Sequence, residues 1–248
     1  MVLKKIIPHS GNIGLQIYYL VFRYFDRAMN LLYQYFRLNK YYLFLAIIIA
    51  NMLLMWLSKS ILINEVVFYN TYSEQISYDR SMEIFEGMKA YSWIGYVLMP
   101  VVFMIKFTLI SIIIYTGVFL CDLHEKISFK KVFGVVVASE IVFFIASLIK
   151  ILWFCFFAGN YDLNDLNFFY PLSLGNFFNR TEVDKIWIFP LQILNLFQII
   201  YLLLLSYGLY IQTGIRHEKT EKAVLVSYLP GLLIWVAFIM FLTIGSSL

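Results

Sequence analysis

Lys106 stands inside "MPVVFMIKFTLISIII", Met99 to Ile114, and Glu140 stands inside "VFGVVVASEIVFFIASLIK". An ammonium and a carboxylate set in apolar runs are the groups from which chemistry would have to be built. They can neutralise each other, or they can line a cavity that takes a proton, an ion or a small solute. Asn195 and Gln198, three residues apart and so on one helix face, add amide donors and acceptors. These four residues form the candidate buried polar layer. No HExxH, Ser–His, paired-aspartate or glycine-rich phosphate motif accompanies them, so no catalytic residue is assigned and no enzyme is expected. His124 and His217 sit in the turns "DLHEKISFKK" and "IRHEKTEKAV" without metal-ligand spacing. Neither a metal nor a cofactor is expected.

The elements that must carry this layer follow from hydropathy. The chain has 248 residues, 62% hydrophobic and 14% charged, where soluble domains show about half and about a quarter. The excess is concentrated in runs long enough to cross a bilayer, roughly 17–25 residues. Backbone groups in hydrocarbon must bond internally, so the runs are read as helices. The fold class is all-α, a polytopic membrane helix bundle with spans at about 41–57, 93–119, 132–157, 186–210 and 223–244. External loops are expected at 58–92 and 158–185. Pro8 breaks the short apolar stretch near the N-terminus, so no cleavable signal peptide is expected.

Direction follows from the basic residues. One set of loops holds Lys4, Lys5, Arg23, Arg27, Arg37, Lys40, Lys126, Lys130, Lys131, Arg216, Lys219 and Lys222. The other holds Lys59, Arg80, Lys89, Arg180 and Lys185. The imbalance predicts a cytoplasmic N-terminus and a C-terminus outside. Lys106 then lies roughly 20 Å below the outer boundary, and Glu140 roughly 12 Å above the inner one, at about 1.5 Å per residue. In a core of about 30 Å the two share a depth on helices joined by a short loop, and an ion pair is expected. Lys150, nearer the end of its span, is expected to snorkel outward.

Residues 1–40 form a separate segment. Gln16, Arg23, Arg27, Asn30, Gln34 and Arg37 make a polar stripe on an otherwise apolar helix. Two readings stay open, an in-plane amphipathic helix on the inner leaflet and a helix packed on the protein's own face. The loop "NFFYPLSLGNFFNRT" offers Phe168, Phe169, Tyr170, Phe177 and Phe178 as a possible docking surface. The two HEK turns, with Trp93 and Trp187 some thirty residues before each His, suggest a duplicated span–turn–span unit.

The tryptophan-and-proline opening of the second span, the turn "SFKKVFGVVVASE", and "YPLSLGNFF" followed by "WIFPLQILNLFQIIYLLLLSYGL" resemble bacterial relatives of the Yip (Ypt-interacting protein) membrane family. The resemblance covers roughly Tyr41 to Ser246. It implies a non-enzymatic protein of membrane organisation, trafficking or export, in the plasma membrane of a bacterial cell. The partners expected are the lipid bilayer and other membrane-protein subunits, with no nucleic acid and no identifiable soluble substrate. A scaffold or accessory subunit is the leading expectation. A transporter or permease subunit that uses Lys106 and Glu140 is the alternative.

Overall fold

The structure, a computed structural model, describes residues 27–246. It divides into two units, Met1–Leu38 and Asn39–Leu248. In the first, residues 27–36 are helical (α1), with Arg27, Asn30 and Gln34 exposed and Phe36 buried. Arg37 follows the helix and donates to the Tyr33 hydroxyl at 3.0 Å. Burial pushes the Tyr35 hydroxyl up to about 12. Arg23 and the residues before it lie outside the described residues.

The second unit is helical, with short connections except for residues 169–184, a long loop that holds two 3-10 turns. Its order is α2 (Lys40–Leu62), α3 (Glu65–Tyr72), α4 (Tyr78–Ala90), α5 (Trp93–Leu120), α6 (Phe129–Ser139), α7 (Ile141–Phe156), α8 (Leu163–Phe168), α9 (Lys185–Ile193), α10 (Leu196–Thr213) and α11 (His217–Ser246). Among the described residues five helices are long and apolar enough to cross a membrane: α2, α5, α6 with α7, α10 and α11. The chain is a multi-pass membrane protein. Asn39 and Asn64 cap α2 and α3 through their side chains.

Burial singles out the third span. Half of its apolar window is buried, against 17% for the first, second and fifth spans and 33% for the fourth. Val135, Val136, Val137, Ala138, Ser139 and Glu140 are buried in unbroken succession, so every face of this stretch is covered. α2, α5 and α10 provide the cover. The outward faces carry the opposite pattern. Val97, Val101, Ile105 and Leu109 on α5 recur every four residues and are exposed, as a lipid-facing stripe requires.

α5 and α11 are in close contact at Gly117. A Cβ there would collide with the Ala223 carbonyl oxygen and the Ser227 hydroxyl, so a small residue lets the two backbones meet. The fifth span begins at His217, six residues before its apolar stretch, because "HEKTEK" is itself a good helix former. The two HEK turns differ in conformation. Residues 121–128 are non-helical with Asp122 at φ 54°, whereas His217 opens α11 just after Gly214 at φ 68°. Gly117→Val should lower stability by about 1–3 kcal/mol through overpacking. Thermal unfolding in detergent checks this, with Gly87→Ala, where a Cβ meets nothing within 4 Å, expected to unfold at or slightly above the parent temperature.

Candidate functional site

The structure brings Lys106 and Glu140 together, with Nζ at 2.5 Å from Oε1. Glu140 occupies a local tightening of the third span. Its N–H donates to the Val137 carbonyl at 3.2 Å, and the Phe143 N–H donates to the Glu140 carbonyl at 3.0 Å, both three residues apart rather than four. The carboxylate side chain is 3% exposed, the lysine side chain 40%. The ammonium leaves the helix interface between three rings, Phe143 at 5.1 Å, Phe103 at 5.6 Å and Phe107 at 5.9 Å. Each such contact supplies roughly 0.5–2 kcal/mol and replaces part of the lost hydration.

Asn195 and Gln198 are in the layer, in a setting that hydropathy does not announce. Instead of one helix over 186–210, the chain breaks after Ile193. Leu194 and Asn195 leave helical geometry, and Asn195 caps α10 by accepting the Gln198 N–H at 2.7 Å. Its amide nitrogen donates to the carbonyls of Gln192 and Ile193 at 2.7 and 3.1 Å. The backbone groups released by the break go to the long loop. Leu174 N–H donates to the Leu194 carbonyl at 2.9 Å, and Leu196 N–H donates to Leu172 at 3.2 Å. Leu172 holds φ 53° to do so, a conformation costing on the order of 1–3 kcal/mol in a non-glycine residue. The Gln198 side chain donates to the Tyr228 hydroxyl on α11 at 2.8 Å.

Tyr201 and Tyr228 are members of the layer that residue types alone miss, since tyrosines in spans read as packing or interfacial groups. The signal was spacing: Asn195, Gln198 and Tyr201 step by three along one helix face. Tyr201 is wholly buried, its ring 4.8 Å from Phe143 and 5.7 Å from Tyr228. Its hydroxyl and the Glu140 Oε2 are buried with no hydrogen-bond partner. The layer is thus two bonded pieces, Lys106–Glu140 and Asn195–Gln198–Tyr228, with Tyr201 packed between them.

The loop after α7 forms an ordered cap. Lys150 is captured rather than free at the surface: its ammonium donates to the Leu166 carbonyl at 2.5 Å. Gln192 donates to the carbonyls of Asn167 and Phe168 at 2.6 and 2.8 Å. These bonds satisfy the C-terminal carbonyls of α8. At its N-terminus Asp162 and Asp165 form a reciprocal capping box, and both accept from Arg180 Nη1, at 2.6 and 3.0 Å. Leu163 N–H donates to Thr71 Oγ1 at 3.0 Å, joining the cap to α3.

Of the proposed docking aromatics, Phe168, Phe169, Phe177 and Phe178 line one groove. Tyr170 turns inward against Val142, Ala146 and Phe197. Burial pushes the Tyr170 hydroxyl up to about 12, and the nearby Glu140 carboxylate adds to the shift. His124 packs 4.9 Å from Phe119, and His217 lies 3.6 Å from Glu221. Among the described residues no three His, Cys, Asp or Glu side chains gather where a metal ion would fit.

Partial burial pushes the Asp162 carboxyl up, but the Asp165 backbone N–H and the Arg180 guanidinium outweigh it and hold the group below the ordinary carboxylate range. A lowered folded value contributes stability above the unfolded value, about 4, that is lost as pH falls through the folded one. Hydrogen exchange of residues 160–182, corrected for intrinsic rate, should therefore show protection falling below pH of about 4. Arg180→Ala should narrow the gap between the folded and unfolded values and so shrink or abolish that fall, and an unchanged profile would contradict the assignment.

Removing one member of the buried pair strands the other. Glu140→Leu should cost about 3–5 kcal/mol, and Lys106→Leu with Glu140→Leu clearly less. Thermal unfolding of the three proteins in detergent measures the difference, and equal losses in single and double variants would exclude the coupling.

No protein-family model matches the chain, and no curated protein or solved structure matches it.

Proposed function

We propose that this chain is a non-enzymatic integral membrane protein, a scaffold or accessory subunit of a membrane complex. The observation that carries the reading is the burial of Glu140 in its pair with Lys106. Glu140 is enclosed on the central span, and the Lys106 ammonium, on a side chain 40% exposed, lies against the rings of Phe103, Phe107 and Phe143. Neither the groove under the cap nor the cavity of about 300 Å3 beside Lys150 has Glu140 in its lining. A closed pair fixes helix register, which is the need of a scaffold. The cap supports the same reading: its own hydrogen bonds hold it in place, yet it leaves Phe177 84% exposed.

In this reading the N-terminus and the HEK turns face the cytoplasm, as the distribution of Lys and Arg favours. Of the N-terminal stripe, the described residues Arg27 and Arg37 lie toward anionic headgroups of the inner leaflet. The membrane is a bacterial plasma membrane, and the role is in membrane organisation, trafficking or export, as the Yip-like pattern implies. The partners are lipid and other membrane-protein subunits.

A second reading, a permease subunit, is favoured by one observation. The fourth span breaks at Leu194–Asn195 beside the unpartnered Tyr201 hydroxyl and Glu140 Oε2, and discontinuous helices around polar groups are how transporters build solute sites.

Two variants separate the readings. In a scaffold, Phe177→Asp should release co-purifying membrane subunits in mild detergent while the unfolding temperature holds; full retention would oppose it. Tyr201→Phe should be neutral or stabilising by about 1 kcal/mol if the layer is dry. A marked loss of stability would mean that the hydroxyl holds a bound species, as the permease reading requires.

A further inference from the structure

The groove under the cap has a volume of about 990 Å3, at the upper end of small-molecule sites. One wall belongs to the membrane-spanning helices: Ile149 and Trp153 from α7 and Leu196 from α10. These three side chains are also exposed on the outside of the bundle, so the groove is continuous with the lipid-facing surface. Its other wall is the cap, where Phe169 stacks on Trp153 at 5.5 Å and an interplanar angle of 12°. An opening of this kind meets hydrocarbon chains before anything else.

The polar end selects among amphiphiles. Arg180 and Asp165 line the groove, and Asp162 joins them through Arg180. One guanidinium faces two carboxylates, an excess of negative charge. Both of its ion pairs use Nη1, and Nε and Nη2 have no protein acceptor among the described residues. The Asp165 side chain remains 43% exposed. A third polar group points the same way. Ser173 lines the groove, is 2% exposed, and its hydroxyl has no hydrogen-bond partner. A buried donor without an acceptor is costly, which marks it as a contact for a bound oxygen.

We propose that the groove binds a phospholipid whose headgroup carries a primary ammonium beside its phosphate. The ammonium meets Asp165, the phosphate meets the free edge of Arg180, and an ester carbonyl accepts from Ser173. An acyl chain runs between Trp153 and Leu196 into the bilayer. A headgroup with phosphate alone faces the surplus carboxylate unpaired and binds less well, and a quaternary ammonium cannot donate to Asp165. The inference requires the cap and the spans and makes no use of the Lys106–Glu140 pair, but it shares the Phe177 side of the groove with the scaffold reading.

The full-length protein in detergent, supplied with equal amounts of phosphatidylethanolamine, phosphatidylcholine and phosphatidylglycerol, is read by native mass spectrometry. Phosphatidylethanolamine should be the adduct retained. Asp165→Asn should weaken its retention about tenfold, the value of one charge-assisted bond. Ile149→Trp, at an exposed rim position outside the capping box, should weaken it by filling the groove, and it serves as the test if Asp165→Asn fails to fold. Equal retention of the three lipids, retention unchanged in a folded Ile149→Trp protein, or a polypeptide that occupies the groove instead would each overturn the proposal.

Discussion

A charge in hydrocarbon must be neutralised where it stands, and the architecture follows from how this chain meets that demand. The Glu140 carboxylate is set into the most enclosed stretch of the most enclosed helix, its side chain 3% exposed. Its partner must come from a neighbour at the same level, and α5 supplies Lys106. The pairing fixes the axial position of α5 against α6 and α7, because sliding either helix by a turn, about 5.4 Å, would leave the buried carboxylate without its cation. α11 inherits that position through its close packing on α5 at Gly117.

Backbone accounting explains the other half of the molecule. A helix that stops inside a membrane exposes peptide groups that lipid cannot satisfy. The helix that leads into the fourth span stops at Leu194–Asn195, and the loop segment Leu172–Leu174 bonds the released groups. The cap is therefore no appendage: the same loop that holds α8 to Lys150 and Gln192 completes the broken span. Tyr170, on that loop, reaches the cluster beside Glu140. Cap, break and ion pair form one continuous arrangement, and the groove lies where the cap meets the lipid-facing side of α7 and α10.

Much of this was legible in the order of residues because a bilayer imposes a length scale. Five apolar runs mark the spans, and counting along them places Lys106 and Glu140 at one depth on consecutive helices. The stretch 58–92, expected as an external loop, holds the two short helices α3 and α4. What hydropathy conceals depends on long-range bonds. Nothing local to "PLQILNLFQ" stops a helix; the break needs the Asn195 cap together with acceptors and donors some twenty residues away. Lys150 near a span end suggests a cation that snorkels outward, and only the fold shows the Leu166 carbonyl that receives it. Tyr201 and Tyr228 were hidden because their rings satisfy hydropathy while their hydroxyls do not. Hydropathy also misplaces the start of the fifth helix, since it detects lipid exposure rather than helix formation.

The central claim is a direct contact between two side chains in a lipid environment. Solid-state NMR of the protein in phospholipid bilayers, with 15N-lysine and 13C-glutamate labels, measures it as the dipolar coupling between Lys106 Nζ and Glu140 Cδ. A strong coupling that vanishes in Lys106→Met is the expected result. Glu140 with no lysine nitrogen in contact range would contradict the account.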